Sequence, residues 1–281
     1  MNQHSPIVAA AAPRLAARTA TIGYDKRVIA EKLSVGIPDR SFTVIVGPNA
    51  CGKSTLLRAL SRLLKPSSGD VVLDGRQIHT YKAREVAQRL GLLPQTSIAP
   101  DGITVADLVA RGRYPHQKLL RQWSKDDEAA VVDAMTATRV TGLSRRLVDE
   151  LSGGQRQRVW VAMVLAQKTP ILLLDEPTTF LDIAHQIELL DLLADLNRRG
   201  GQTVVAVLHD LNHACRYATH LIAMRDGKVV AEGRPADIVT PKLVERVFGL
   251  SSVIIDDPLS GTPLVIPRSG GLSPSQRSSE D

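Results

Sequence analysis

The chain has 281 residues, of which 43% are hydrophobic and 23% charged, a composition that excludes a largely disordered protein. The length suits one large domain or two smaller ones, and the net charge of +6 is compatible with an anionic ligand. Aromatic residues make up only 3%, which argues against a base-stacking surface, so no nucleic-acid partner is expected. Two cysteines exclude a disulfide framework and favour a reducing compartment.

Three short apolar runs indicate the fold class. They cover residues 41–46, 171–174 and 203–208 and are typical of strands buried on both faces of a parallel sheet. The segments that follow the first two runs, 53–64 and 184–198, place apolar residues at helical spacing. We therefore predict an α/β fold with a mostly parallel sheet that helices cover on both sides.

The other segments predict the domain organisation. Between about 97 and 165 the strand pattern fades and helical spacing dominates, which predicts a helical subdomain inserted into the core. Residues 1–13 are predicted to be a flexible leader. Residues 268–281, rich in Ser, Pro and Gly, are predicted to be a disordered tail. The domain itself is expected to span residues 14–267.

A phosphate-binding loop is predicted between the first apolar run and its helix. The pattern G-x-x-x-x-G-K-[ST] occurs there, between a strand and a helix as its chemistry requires. Its glycines let successive backbone N–H groups turn inward, and the helix N-terminus favours anions. The lysine supplies charge for the β- and γ-phosphates and the serine a hydroxyl for Mg²⁺. The expected nucleotide-binding residues are Gly47, Pro48, Asn49, Ala50, Cys51, Gly52, Lys53, Ser54 and Thr55.

Cys51 has two interpretations. A thiol at a helix N-terminus is a candidate redox sensor, because the helix dipole lowers its pKa. The simpler interpretation is a small residue of which only the backbone matters.

Charged side chains follow the other two apolar runs. Asp175 and Glu176 come directly after residues 171–174, and His209 follows the run that ends at Leu208. Ligands of open parallel sheets bind at the carboxyl ends of the strands. We expect Asp175 to hold Mg²⁺, Glu176 to polarise an attacking water and His209 to reach the γ-phosphate. The carboxylates would lie beside the phosphate loop if strands 41–46 and 171–174 are neighbours.

A second helix N-terminus suited to anions occurs at Leu151-Ser-Gly-Gly-Gln155. Ser152 is positioned to cap a helix that runs to about Gln167, and the two glycines leave its first N–H groups uncovered. Spacing alone does not explain why one chain has two such sites.

Together, residues 47–55, 151–155 and 172–177 resemble the ATP-binding subunits of ABC transporters, and the likeness runs from about residue 15 to 267. The resemblance implies the ABC ATPase fold: a P-loop parallel-sheet core, an antiparallel β subdomain and an inserted helical subdomain. It implies ATP and Mg²⁺ as cofactors. It also implies a head-to-tail homodimer in which each ATP lies between the phosphate loop of one chain and the signature segment of the other. The signature residues expected to bind ATP are Ser152, Gly153, Gly154 and Gln155.

The same resemblance implies roles for other residues. Tyr24 matches an aromatic residue that stacks on adenine, and Gln95 matches a glutamine that contacts Mg²⁺ and links the core to the helical subdomain. Asp182 matches a residue of the loop that crosses the dimer interface in the family, and His209 matches the switch histidine. Ala50 departs from the glycine of many members, and it is expected to fit only if its φ is ordinary.

Segments outside the ATP motifs resemble the ATPases of iron(III)-siderophore importers, most closely those of the ferric enterobactin type. They are residues 111–116, Trp123, 208–216 and 254–263. Residues 111–121 are either a solvated basic face or a surface that docks a membrane subunit near Gln95. Residues 254–263 are either part of this likeness or a plain strand-turn-strand.

This likeness implies two membrane permease subunits, an external siderophore-binding protein and no direct contact between cargo and chain. It places the chain at the cytoplasmic face of the bacterial inner membrane, as a peripheral subunit. Two alternatives stay open at this point: an importer ATPase for another chelate such as haem or a corrinoid, and a non-transport ABC ATPase that acts on DNA or ribosomes.

Overall fold

The computed structural model describes residues 13–25, 27–117 and 123–272, the last four of them by their backbone alone. Its strands are β1 (Leu15–Tyr24), β2 (Arg27–Ile37), β3 (Phe42–Val46), β4 (Ser68–Leu73), β5 (Arg76–Gln77), β6 (Leu90–Leu93), β7 (Ile171–Asp175), β8 (Thr203–Val207), β9 (His220–Arg225), β10 (Lys228–Gly233), β11 (Leu250–Asp256) and β12 (Pro263–Leu272). Its helices are α1 (Lys53–Leu60), α2 (Ala83–Ala87), α3 (Val105–Ala110), α4 (Lys125–Ala137), α5 (Gly153–Ala166), α6 (Ile183–Gly200), α7 (Leu211–Tyr217), α8 (Pro235–Ile238) and α9 (Pro241–Phe248).

A six-stranded sheet forms the centre of the fold. Its order is β10-β9-β3-β8-β7-β6, and every pair is parallel except the edge pair of β9 and β10. Alternate residues of β3 enter different cores: Val44 packs in one hydrophobic cluster and Ile45 in the other. The sheet is therefore covered on both faces, which is why its strands read as unbroken apolar runs. The α/β prediction is confirmed.

An antiparallel sheet of order β2-β1-β4-β5 lies over one face of the core. Its inward residues share a hydrophobic cluster with Leu56, Leu57 and Leu60 of α1 and with Ile45 of β3. The helix that follows the phosphate loop is thus packed between two sheets.

The segment predicted to be helical contains α3, α4 and α5. Thr104 caps α3 by accepting a hydrogen bond from the Asp107 backbone, and Ser124 caps α4 in the same way from Asp127. None of the helices in the described residues combines the length and apolar composition needed to cross a bilayer.

Two details differ from the sequence expectations. Helix α1 ends at Leu60 rather than near residue 64, because Arg62 takes a left-handed backbone with φ of 70°. Strand β12 continues beyond residue 267 to Leu272, where the backbone pairs with Leu250; a composition rich in small polar residues does not reveal such pairing. Residues 1–12 of the predicted leader and 273–281 of the predicted tail lie outside the described residues.

The segment Arg111–His116 forms a short 3₁₀ helix that is partly buried. The Arg113 side chain is buried, donating from Nε to Asp127 at 2.8 Å and from Nη1 to the Ala166 carbonyl at 2.8 Å. His116 Nε2 lies 2.8 Å from the Gln167 carbonyl oxygen. These residues close the C-terminal end of α5, whereas Arg111 and Tyr114 of the same segment are exposed, so both interpretations of residues 111–121 stay open. Residues 118–122 are not described.

Candidate active site

A cavity of about 500 Å³ opens at the carboxyl edge of the central sheet. It lies where the loops after β3, β7 and β8 meet, which is the ligand position expected for an open parallel sheet. Its lining residues are Arg27, Ile29, Asn49, Ala50, Gly52, Lys53, Ser54, Thr55, Gln95, Glu176 and His209.

The phosphate loop forms one wall of the cavity. Gly47 has φ of 154°, and a Cβ there would lie 2.2 Å from the carbonyl oxygen of Met224, so no other residue fits. The Lys53 ammonium donates to the carbonyl oxygens of Gly47 and Pro48, each at 2.9 Å. These two bonds hold the loop backbone around the Lys53 ammonium group, next to the N-terminus of α1.

Ala50 adopts a left-handed backbone with φ of 60°. The expectation that alanine fits only with an ordinary φ is therefore wrong, and the loop keeps the glycine-like conformation with an alanine in place. A left-handed conformation costs an alanine about 1–2 kcal/mol. Ala50 is exposed where it lines the cavity, so its methyl group is not buried in the packed core.

Cys51 is buried beneath the loop, 4% exposed. Burial raises the pKa of its thiol, against the opposing pull of Lys53. A protonated, inaccessible thiol is a poor redox sensor. The structure thus favours the simpler interpretation of this residue.

Asp175 lies at the end of β7, and Ser54 Oγ in the first turn of α1 donates to its Oδ1 at 2.9 Å. Strands β3 and β7 are not neighbours, because β8 lies between them. The carboxylate still reaches the phosphate loop since α1 starts at the end of β3 and contacts β7 beyond the intervening strand. Burial raises the pKa of Asp175, and the Ser54 hydroxyl offsets part of this increase.

Glu176 is the centre of a polar cluster at the mouth of the cavity. His209 Nε2 lies 2.8 Å from Glu176 Oε1. Burial alone would raise the pKa of Glu176, but hydrogen bonds from His209 and Gln95 outweigh it and lower that pKa. The glutamate is thus held as a carboxylate at neutral pH. Its own φ of 53° is a strained value that the packing around it must stabilise.

The signature segment is built as predicted but lies outside this cavity. Ser152 caps α5 through a reciprocal pair with Gln155: the Gln155 backbone donates to the Ser152 hydroxyl, and the Ser152 backbone donates to the Gln155 side chain. Gly153 and Gly154 face the Phe180 loop, where a Cβ on Gly154 would lie 3.2 Å from the Phe180 carbonyl oxygen. A single chain therefore does not bring its signature residues to its own phosphate loop.

Tyr24 and Asp182 also lie outside the lining. The Tyr24 hydroxyl accepts a hydrogen bond from Arg58 at 3.2 Å, and Asp182 caps α6 by accepting from the His185 backbone at 2.9 Å. Sequence reasoning missed Arg27 and Ile29, which do line the cavity. Arg27 pairs with Tyr24 across the β1–β2 hairpin, so a hairpin signal around Tyr24 would have placed Arg27 beside it.

Comparisons with known proteins agree with this geometry. Residues 30–179 match the family described as ABC transporter. The chain is 60% identical to the ferric enterobactin transport ATP-binding protein FepC of Escherichia coli (strain K12), over 95% of this chain and 98% of that protein.

Two solved structures have the same fold. One is a metal-chelate type ABC transporter in an inward-facing conformation, with 26% identity, a TM-score of 0.76 and coverage of 91% of this chain and 97% of that chain. The other is a dimeric ATP-binding cassette in a post-hydrolysis state bound to ADP and Pi, with 27% identity, a TM-score of 0.70 and coverage of 78% and 98%. With its phosphate loop, strand-end carboxylates and capped signature helix all in place, the chain belongs to the ABC transporter family.

Proposed function

We propose that this chain is the ATP-hydrolysing subunit of an ABC importer for iron(III)-siderophores, with a catecholate of the ferric enterobactin type as cargo. The observation that carries the hydrolytic part is the Glu176 carboxylate, held by His209 at 2.8 Å at the mouth of the phosphate-loop cavity. The cargo class rests on the likeness to the ferric enterobactin protein, which extends over nearly the whole of both chains.

Each residue of the cavity has a distinct task in this function. The loop N–H groups and Lys53 neutralise the β- and γ-phosphates. Glu176 accepts a hydrogen bond from the attacking water and polarises it, because its lowered pKa keeps it ionised. His209 holds that carboxylate in place and faces the γ-phosphate. Tyr24 and the adjacent Arg27 would contact the nucleobase of the bound ATP.

Three side chains provide a site for Mg²⁺. The hydroxyl of Ser54, the carboxylate of Asp175 and the side-chain amide of Gln95 offer the oxygen ligands that this cation prefers, and Ser54 and Asp175 are already 2.9 Å apart. A bound Mg²⁺ would neutralise negative charge on the phosphate oxygens.

We further propose that two copies of the chain share each ATP. The N-terminus of α5, with Ser152, Gly153, Gly154 and Gln155, is suited to a phosphate, yet these residues do not line the chain's own cavity. A second copy placed head to tail would present that helix end to the phosphates. Asp182, at the start of α6, would then face the partner across the interface.

The remaining partners follow from the importer assignment. Two membrane permease subunits would dock on the chain, and an external binding protein would deliver the siderophore, so the cargo would not touch the chain. The subunit would work at the cytoplasmic face of the inner membrane. No nucleic-acid partner is proposed.

The first experiment compares Glu176→Gln with wild type and with Glu188→Gln as a matched control. Glu188 lies on α6, half exposed and paired with Arg139, away from the cavity. We expect Glu176→Gln to bind ATP normally but to release phosphate at least about 100-fold more slowly, and the control to behave as wild type. Wild-type hydrolysis in Glu176→Gln would overturn the assignment.

The second experiment tests the cargo. Iron-starved cells that carry wild type, Glu176→Gln or a deletion are given radio-iron as a ferric catecholate siderophore. Loss of uptake in the last two strains supports the proposal. Normal uptake in cells without a redundant importer overturns the catecholate assignment, and parallel uptake of haem and a corrinoid then identifies the other chelate.

A further inference from the structure

Asn212 joins the turn that carries His209 to the C-terminal hairpin of the protein. Its side-chain Oδ1 accepts a hydrogen bond from the Val265 backbone N–H at 2.7 Å, and its Nδ2 donates to the Val265 carbonyl at 3.2 Å. One amide side chain thus satisfies both backbone groups of Val265. These groups would otherwise be left unpaired at the outer edge of β12, since a residue of an antiparallel ladder points both groups to the same side.

The position of His209 is set from two sides. On one side it follows β8, which is buried in the middle of the central sheet. On the other side it precedes α7, whose first turn contains Asn212 and is capped by Asp210 through the His213 backbone at 2.8 Å. A shift of α7 would therefore move the His209 side chain relative to Glu176, whereas β8 cannot move without disrupting the core.

The hairpin is a firm support for α7. Strands β11 and β12 pair with each other, and Val265 is 6% exposed within the main hydrophobic cluster. Helix α9 packs on β11, with Val244 and Val247 buried beneath it. Between the hairpin and His209 lies a cavity of about 310 Å³, and beside this cavity α7 contacts β12 directly. The two bonds of Asn212 join α7 to β12 at the wall of this cavity.

We propose that Asn212 is a positioning residue for hydrolysis: by fastening α7 to β12, it holds His209 at the distance from Glu176 that the reaction requires. The inference rests on the roles proposed above for His209 and Glu176. The β11–β12 hairpin, although far from the phosphate loop in sequence, would thus help to position the residues that act in hydrolysis. The chain separation between Asn212 and Val265 is 53 positions.

The test uses the full-length chain and measures phosphate release and ATP affinity. We expect Asn212→Ala to lower kcat on the order of tenfold and to leave the KM for ATP unchanged, because only the orientation of His209 is lost. Asn212→Asp keeps the acceptor for the Val265 N–H but loses the donor to the Val265 carbonyl, so it is also expected to lower kcat.

The matched control is Asn197→Ala. Asn197 also clamps backbone with its side chain, donating to the carbonyls of Arg40 and Gln202 at 2.9 and 2.7 Å, but at the far end of α6. It is expected to lower thermal stability without lowering kcat. Equal losses of kcat in Asn197→Ala and Asn212→Ala would mean that general destabilisation is the cause, and would overturn the inference.

A double mutant separates this inference from the proposed function. In a His209→Ala background, adding Asn212→Ala is expected to cause no further loss of kcat, because the residue acts through His209. A second independent tenfold loss would overturn the positioning role while leaving the ATPase assignment intact. If the wild-type chain itself does not hydrolyse ATP, the proposed function fails before this comparison is made.

Discussion

The buried pair of Arg113 and Asp127 allows a prediction about the stability of the helical region. We consider Arg113→Met, which keeps the length of the side chain and removes its charge. Each side chain of the pair is 8% exposed. The substitution leaves the Asp127 carboxylate with only its Ser124 partners, and it removes the donor that satisfies the Ala166 carbonyl at the end of α5.

The magnitude follows from these losses. Breaking a buried ion pair by removing one partner destabilises a protein by about 3–5 kcal/mol when the remaining charge has no other bonds. Asp127 retains its bonds to Ser124, so we expect a loss of roughly 3 kcal/mol in the free energy of unfolding. For a chain of this size, that corresponds to a fall in Tm of about 6 °C.

The assay is thermal unfolding followed by calorimetry at neutral pH, with Arg198→Met as control. Arg198 pairs with Asp195 on the surface of α6, where the two side chains are 68% and 44% exposed. Such an exposed pair contributes less than about 1 kcal/mol. Equal falls in Tm for the two variants would refute the argument from burial.

The pH dependence provides a second check on the same variant. Burial would raise the pKa of Asp127, but hydrogen bonds from Arg113 and Ser124 outweigh it and lower that pKa. A carboxyl group with a lowered folded pKa stabilises the protein above its unfolded pKa of about 3.9, and this contribution is lost as the pH falls through the folded value. The difference in Tm between wild type and Arg113→Met should therefore shrink as the pH is lowered from 7 toward 3. A constant difference would contradict the charge-pair explanation.

Three further outcomes are expected. Ala50→Gly should leave the free energy of unfolding within about 0.5 kcal/mol of wild type, because the relief of left-handed strain offsets the greater chain entropy of the unfolded state. The control Ala129→Gly, on the exposed face of α4, should lower that free energy by about 1 kcal/mol. Denaturant unfolding of both variants tests this prediction. Lys53→Ala should weaken ATP binding itself, and unchanged affinity in a titration would count against the assigned phosphate contact. Ser152→Arg should abolish hydrolysis while ATP still binds, and normal turnover would refute a site shared between two chains.

Local sequence was sufficient for the features that depend on neighbouring residues. The phosphate loop, the carboxylates at the end of β7 and the capped start of α5 were all recognisable, because a turn, a strand end and a helix cap each need particular residue types within a few positions. The class of the fold followed for the same reason, from apolar runs that alternate with helical spacing.

Tertiary structure decided what lies between distant segments. Only the strand order shows that Asp175 reaches Ser54 past an intervening strand, and only packing shows that Arg113 is buried against Asp127. The φ of Ala50 depends on the whole loop, not on the preference of alanine. The contact of Asn212 with Val265 joins residues whose own sequence windows carry no sign of each other. Such contacts depend on how whole helices and strands pack against each other. The residue pattern of any single segment does not determine that packing.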